Sequence, residues 1–331
     1  MKKILNMFTT LIFMLGLITQ NIVFGMENKQ IIIAGIVLQE DQFMQLMLKG
    51  YKDAAEEYGA KLMTANTSND QAKETQLINT YVGQKVDGIA ITPLNSTASI
   101  ETLKRAAKKG IGISIGNMTV KDTSFLTSGY TSDNKSLGYS TGVAAAKFVK
   151  EKLNNKANVA IVAFKSQLPE QSAERTEGFI SALKDAGVEY KVMVEQDAWI
   201  QDVALTTITN ILTAYPTVNI IYTANDGSTI GATLAVKNAK FVGKTFVFGT
   251  DIGEQQMNML QDKDDILQAV TGQDAYGIGY NSIKSLILAK KGIPNPDAKK
   301  ITIIPGTTLV RGETSTIENY RADLKKRLNS K

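Results

Sequence analysis

The chain has 331 residues, with 37 Lys and Arg against 32 Asp and Glu, and it contains no histidine and no cysteine. Those absences exclude the usual nucleophile–base pairs, a disulfide framework and a His/Cys metal site. The positive surplus is spread along the chain with no basic stripe interleaved with aromatics, so nucleic acid is not signalled as a partner. Expectation moves from chemistry towards binding.

Residues 1–25 read as a secretory leader. Lys2 and Lys3 supply a charged start, and the apolar run Ile4–Ile18 is too short and interrupted to span a bilayer. Val23-Phe24-Gly25 places acceptable residues for cleavage before Met26. Removing the leader lowers the formal net charge from +5 to about +3. With no cysteine to carry a lipid, the expected product is a freely soluble periplasmic protein of roughly 305 residues, enough for one large α/β unit or two ordinary domains.

Ile31–Leu38 (IIIAGIVL) is apolar on both faces, as a buried parallel strand is. Phe43, Leu46, Met47, Gly50, Tyr51, Ala54, Ala55 and Tyr58 then recur with a period of about 3.6, the mark of an amphipathic helix. A strand at Lys61–Ala65, a helix from Asp70 to Gln84, a strand at Val86–Thr92, a helix at Thr97–Lys109 and a strand at Ile111–Ile115 complete one doubly wound half. Asn117–Ser132 reads as a polar connection.

A second round follows. Helix Lys135–Asn154 leads to strand Asn158–Ala163, and helix Ala173–Ala186 leads to strand Tyr190–Glu195. Helix Asp202–Ala214, strand Val218–Thr223, helix Ser228–Asn238 and strand Thr245–Gly249 come next. No G-x-G-x-x-G follows the first strand and no Walker A sequence exists, so no nucleotide cofactor is indicated, and without histidine no Ser-His-Asp triad can form. Gly277-Ile278-Gly279 reads as helix packing. No cofactor or metal is expected.

The polar residues sit at the strand ends, where open α/β sheets bind ligands. Asp41 with Phe43 follows the first strand, and Asn117 the fourth. Arg175 opens a helix, where a cation opposes the dipole and a surface ion pair would also account for it. Trp199, the one tryptophan, is either a core anchor or a stacking face. Asn225-Asp226 suits a helix N-cap, while Asp251 and Gln273 follow later strands. Together they give carboxylate, guanidinium, amides and aromatic faces, a set that suits a polyhydroxylated ring.

The segments IIIAGIVLQEDQF, VDGIAITPLN, SGYTSDNKSLG, SAERTEGF, AYPTVNIIYTANDGSTIGA, VFGTD and AVTGQD, in this order over the mature chain, resemble the type I periplasmic sugar-binding proteins of the ribose/galactose group. The resemblance implies two Rossmann-like lobes joined by a three-segment hinge. One lobe comprises residues 26–131 plus 274–303, the other 132–273 plus 304–331. It implies stacking aromatics at Phe43 and Trp199, a ligand-binding arginine at Arg175, amides at Asn225 and Gln273, a carboxylate at Asp251 and a first-lobe polar contact at Asp41. Gly116-Asn117 stands where ribose binders carry Asp-Arg, and Met44 replaces a second aromatic, so another pentose, a hexose or a linear polyol is expected.

The implied function is a monomeric, non-enzymatic receptor that hands a sugar or polyol to the permease of an ABC transporter. An alternative is a receptor presenting a sugar-like signal to a membrane sensor or chemoreceptor. A glycosidase using Asp41 and Asp251 is disfavoured by the fold, and a LacI-type repressor by the leader standing where its helix-turn-helix would be. Without histidine, affinity is expected to stay nearly flat between about pH 5.5 and 8.

Overall fold

The computed structural model describes residues 30–329, and the expected leader lies outside the described residues. Among these, twelve strands form two six-stranded sheets. The first contains β1 (Ile32–Val37), β2 (Lys61–Asn66), β3 (Gly88–Ile91), β4 (Gly112–Gly116), β5 (Ser128–Thr131) and β11 (Ile301–Ile303), in the order β11-β5-β4-β3-β1-β2. All its pairings are parallel. The second contains β6 (Lys156–Ala163), β7 (Glu189–Asp197), β8 (Ile220–Thr223), β9 (Phe246–Thr250), β10 (Leu267–Gly272) and β12 (Thr307–Val310), ordered β12-β10-β9-β8-β6-β7. Here only β12 runs antiparallel to its neighbour.

Helices link the parallel strands and cover their faces, as parallel pairing requires. They are α1 (Gln42–Glu57), α2 (Gln71–Gly83), α3 (Ala98–Lys108), α4 (Asn134–Lys152), α5 (Pro169–Asp185), α6 (Gln201–Ala214), α7 (Asp226–Asn238), α8 (Glu254–Gln261), α9 (Ala275–Lys290) and α10 (Thr314–Asn329). The chain passes between sheets three times: from β5 to α4, from β10 to α9, and from β11 to β12. The return at α9 is fixed by packing, since Ile278, Ile283, Leu286 and Ile287 bury against Ile33, Val37 and Met47 of the first sheet and α1. Ile317 and Leu324 of α10 bury instead with Leu309, Met257 and Leu260 around the second.

The structure departs from the sequence reading at Ser128-Gly129-Tyr130-Thr131. This stretch is not part of a polar connection but a fully buried strand, β5. Its hydroxyls are satisfied inside the sheet layer, Ser128 Oγ lying 3.0 Å from Ser114 Oγ, so hydropathy alone conceals it. Helix α5 starts at Pro169 rather than Ala173, with proline in the first turn, where its missing N–H costs nothing.

Helices α4 and α5 approach unusually closely. A Cβ on Gly138 of α4 would stand 1.9 Å from the Arg175 carbonyl oxygen, and one on Gly178 of α5 would stand 2.0 Å from that of Lys135. The bare glycines let the two helices lie backbone to backbone, and this sets the height at which Arg175 leaves its helix.

Candidate functional site

The carboxyl ends of the two sheets face one cavity of about 390 Å³. From the first sheet come Asp41, Phe43 and Asn117. Asp41 caps α1, its Oδ1 accepting the Met44 N–H at 2.7 Å, so the capping bond also orients the carboxylate. Phe43 packs against core clusters of both sheets and straddles the gap between them.

Asn117 follows β4 with φ +54°, and Asp251 follows β9 with φ +70°. These are equivalent positions in the two halves: the Asn117 N–H donates to the Tyr130 carbonyl at 2.9 Å, and that of Asp251 to Thr271 at 2.8 Å. Asn and Asp are the side chains that best tolerate this left-handed backbone. Both strand ends therefore turn a polar group into the cavity at the same conformational cost.

Arg175 is buried, and its guanidinium is held on several sides. Nε donates to Asn134 Oδ1 (3.0 Å), Nη1 to the Ala224 carbonyl (2.8 Å) and Nη2 to Gln273 Oε1 (3.1 Å). The group lies 5.1 Å from the centroid of the Phe164 ring, a cation–π contact. Asp251 Oδ2 is 3.6 Å from Nη1. Gln273 also donates from Nε2 to Asn117 Oδ1 at 3.1 Å, and Gln171 Nε2 donates to the Asn117 carbonyl at the same distance. Amides from the second half thus bridge to the first.

Burial raises the Asp251 carboxyl to about 6; the Arg175 charge opposes that rise, while repulsion from Asp226 and Asp41 adds to it. Asp226 is raised for the same leading reason, with Asp41 again repelling it and the Gly227 N–H and Arg175 opposing. The flat pH response expected from the absence of histidine therefore needs correcting, because a carboxylate takes over that titration range.

Seven of the eight residues singled out in the sequence line the cavity: Asp41, Phe43, Asn117, Arg175, Asn225, Asp251 and Gln273. Trp199 is not in that lining; it is half-buried against the cluster containing Phe164, and its carbonyl accepts the Asn225 amide at 2.9 Å. Asn225 is itself the N-cap of α7 and accepts from Ser228 Oγ, so both ends of its amide are engaged within the protein. Asp226, read as the cap, is the first residue of α7 and reaches the cavity. Phe164 joins the lining without having been singled out, although it stands one residue beyond the strand expected at Asn158–Ala163.

Residues 34–293 match the periplasmic binding protein domain. The chain belongs to that family. It is a solute-binding protein and not an enzyme, so the reading of Asp41 and Asp251 as an acid–base pair falls away. Among curated relatives, the D-allose-binding periplasmic protein of Escherichia coli (strain K12) is 30% identical over 256 residues, covering 74% of this chain and 79% of that protein. The ribose import binding protein of Bacillus subtilis (strain 168) is 27% identical over 241 residues, covering 72% and 74%.

The fold is shared with a solute-binding protein from Actinobacillus succinogenes 130z holding D-allose (TM-score 0.77, 24% identity, 88% of this chain and 100% of that one). It is shared too with one from Bacillus halodurans C-125 holding myo-inositol (TM-score 0.76, 22% identity, 88% and 98%). Among the described residues no helix is long and apolar enough to cross a membrane.

Proposed function

We propose that the protein is a periplasmic receptor that binds one monosaccharide or cyclic or linear polyol between its two halves and delivers it to the permease of an ABC importer. The observation that carries this reading is the cavity itself. Carboxylates and amides from both sheets surround it, and Phe43 and Phe164 contribute apolar surface to its walls. Adjacent hydroxyls of a sugar can donate to Asp251 and accept from amide N–H groups, while its C–H faces lie on the rings. Charge-assisted bonds contribute about 1.5–3 kcal/mol each, so a few suffice for micromolar binding.

In this reading residues 26–131 with 274–303, and 132–273 with 304–331, move as two lobes about the three crossings. The leader is removed before Met26, and the protein acts as a monomer, each chain supplying both walls of its own cavity. The test is thermal unfolding of residues 26–331 against pentoses, hexoses, linear polyols and inositols, with mass spectrometry of any small molecule released on denaturation. A raised midpoint with one group, or a released sugar or polyol, supports the reading. No shift and no released molecule would count against it.

A further inference from the structure

Asn117 is gripped by the opposite half at two atoms. Its left-handed backbone at the end of β4 keeps the N–H within the sheet, on the Tyr130 carbonyl. Both of its oxygens accept from second-half amides, Oδ1 from Gln273 Nε2 and the backbone carbonyl from Gln171 Nε2, each at 3.1 Å. A hinge motion treats these two bonds differently. Gln273 stands at the crossing from β10 to α9, as does Asp274 with its bond from Arg327 at 2.7 Å, so both follow the first half through a rotation. Gln171 stands in the first turn of α5, a helix lying wholly in the second half, and its bond breaks when the halves part.

Gln171 is also fixed from its own side. The next residue, Ser172, is fully buried; its Oγ accepts the Phe164 N–H at 3.1 Å and its own N–H donates to the Leu168 carbonyl at 3.0 Å. The start of α5 is therefore tied to Phe164, whose ring lines the cavity and carries the Arg175 guanidinium. The Gln171–Asn117 bond stands where two cavities between the halves adjoin, one of about 390 Å³ and one of about 240 Å³. Gln171 lines both, while Asn117 lines the larger and its neighbours Met118 and Thr119 the smaller.

We propose that Gln171 is a closure latch: its amide, bonded to the Asn117 carbonyl, holds the halves shut and slows escape of the solute without selecting which solute is bound. This inference rests on the receptor reading and adds a control on the same site. A bond from protein to protein, made only when the halves meet, favours the closed state of the free and the loaded molecule alike. It therefore slows release of every solute by one factor and leaves association, which takes place on the open form, unchanged. A neutral hydrogen bond shifts such a balance about threefold to tenfold.

The test is Gln171→Met in residues 26–331, which removes the donor and keeps side-chain length and helix preference. Its first readout needs no solute. A Cβ on Gly253 would stand 2.7 Å from Gln42 Oε1 across the gap, so the pair Gln42→Cys/Gly253→Cys reports closure at a distance in sequence from the latch. In protein refolded free of solute, that disulfide should form about twofold or more slowly when Gln171→Met is added. The second readout is stopped-flow displacement of each of D-allose, D-ribose, myo-inositol and further sugars or polyols that bind the cysteine-free chain. Release of each should quicken about threefold to tenfold, with association within about twofold of wild type. The solute-free melting midpoint should stay within about 2 °C of wild type.

An unchanged cross-linking rate in the solute-free protein would overturn the latch while leaving the receptor reading intact. Faster release confined to one solute, or slowed association, would overturn it by making Gln171 a ligand contact. A midpoint lowered by several degrees would overturn it by making Gln171 a support of the fold. Should no sugar or polyol alter cross-linking of the Gln42→Cys/Gly253→Cys pair, that result would count against the receptor reading, and the solute-free comparison would still decide for or against the latch.

Discussion

Replacing Asp251 by Asn should stabilise the ligand-free protein near neutral pH and weaken ligand binding at the same time. The Asp251 carboxyl is raised to about 6 although Arg175 lies 3.6 Å away, so its surroundings as a whole disfavour the charge. An unfolded Asp titrates at about 3.9, and about 1.4 kcal/mol corresponds to each unit. Ionised Asp251 therefore costs the fold on the order of 2–3 kcal/mol at pH 7; about a quarter of the side chain is exposed (26%), which favours the lower figure.

The sign follows from the direction of the shift. A carboxyl with a raised folded pKa contributes stability that is complete below about pH 4 and is lost as pH rises through about 6. The Asp251→Asn variant has no such dependence, and Asn tolerates φ +70° as Asp does. The midpoint of the variant should match wild type near pH 4, drift above it between about pH 4 and 6, and stay several degrees higher at pH 7. Scanning calorimetry of the ligand-free proteins reads this directly, and titration with a bound sugar should show at least a roughly tenfold loss of affinity. A variant less stable than wild type at pH 7 would refute the reasoning, as would one whose advantage does not change with pH.

Arg175→Lys should fail to bind, since a single ammonium cannot serve Asn134, Ala224, Gln273 and the Phe164 face together; a Kd within about threefold of wild type would contradict this. Gly178→Ala should cost about 1–3 kcal/mol, measured by thermal or urea unfolding, because the new Cβ meets the Lys135 carbonyl and neither helix can move without the other. Phe164→Ala should weaken binding about tenfold or more, whereas Trp199→Phe should leave Kd within about threefold, since the indole lies outside the cavity lining. The reverse order in the two titrations would place Trp199 on the ligand.

Much of the architecture is legible in the sequence because buried parallel strands leave a coarse signal. IIIAGIVL and NVAIVA can hardly be anything else, and the helix from Gln42 to Glu57 shows its period openly. What escapes is structure held together by small polar groups. β5 is built from Ser-Gly-Tyr-Thr, and β11 and β12 are three- and four-residue strands with half-exposed faces. Their burial or pairing comes from partners distant in the chain, which periodicity does not register.

The site is readable for a related reason. Strand ends converge in a doubly wound sheet, so the polar residues that follow each strand gather Asp41, Asn117, Asp251 and Gln273 into one set without any knowledge of geometry. Their individual roles are not readable in this way. That Arg175 is held within the protein, that Asn225 is engaged at both ends, and that Asp251 titrates near neutrality all depend on neighbours distant in the chain.

The central claim, that the solute is held between two halves that close on it, has a direct test in a chain without cysteine. A Cβ on Gly253 would stand 2.7 Å from Gln42 Oε1, so these residues of the two halves meet across the cavity. In Gln42→Cys/Gly253→Cys, a disulfide should form faster with a bound sugar or polyol present and, once formed, should slow that ligand's release. An unchanged cross-linking rate with a ligand that demonstrably binds would contradict the account.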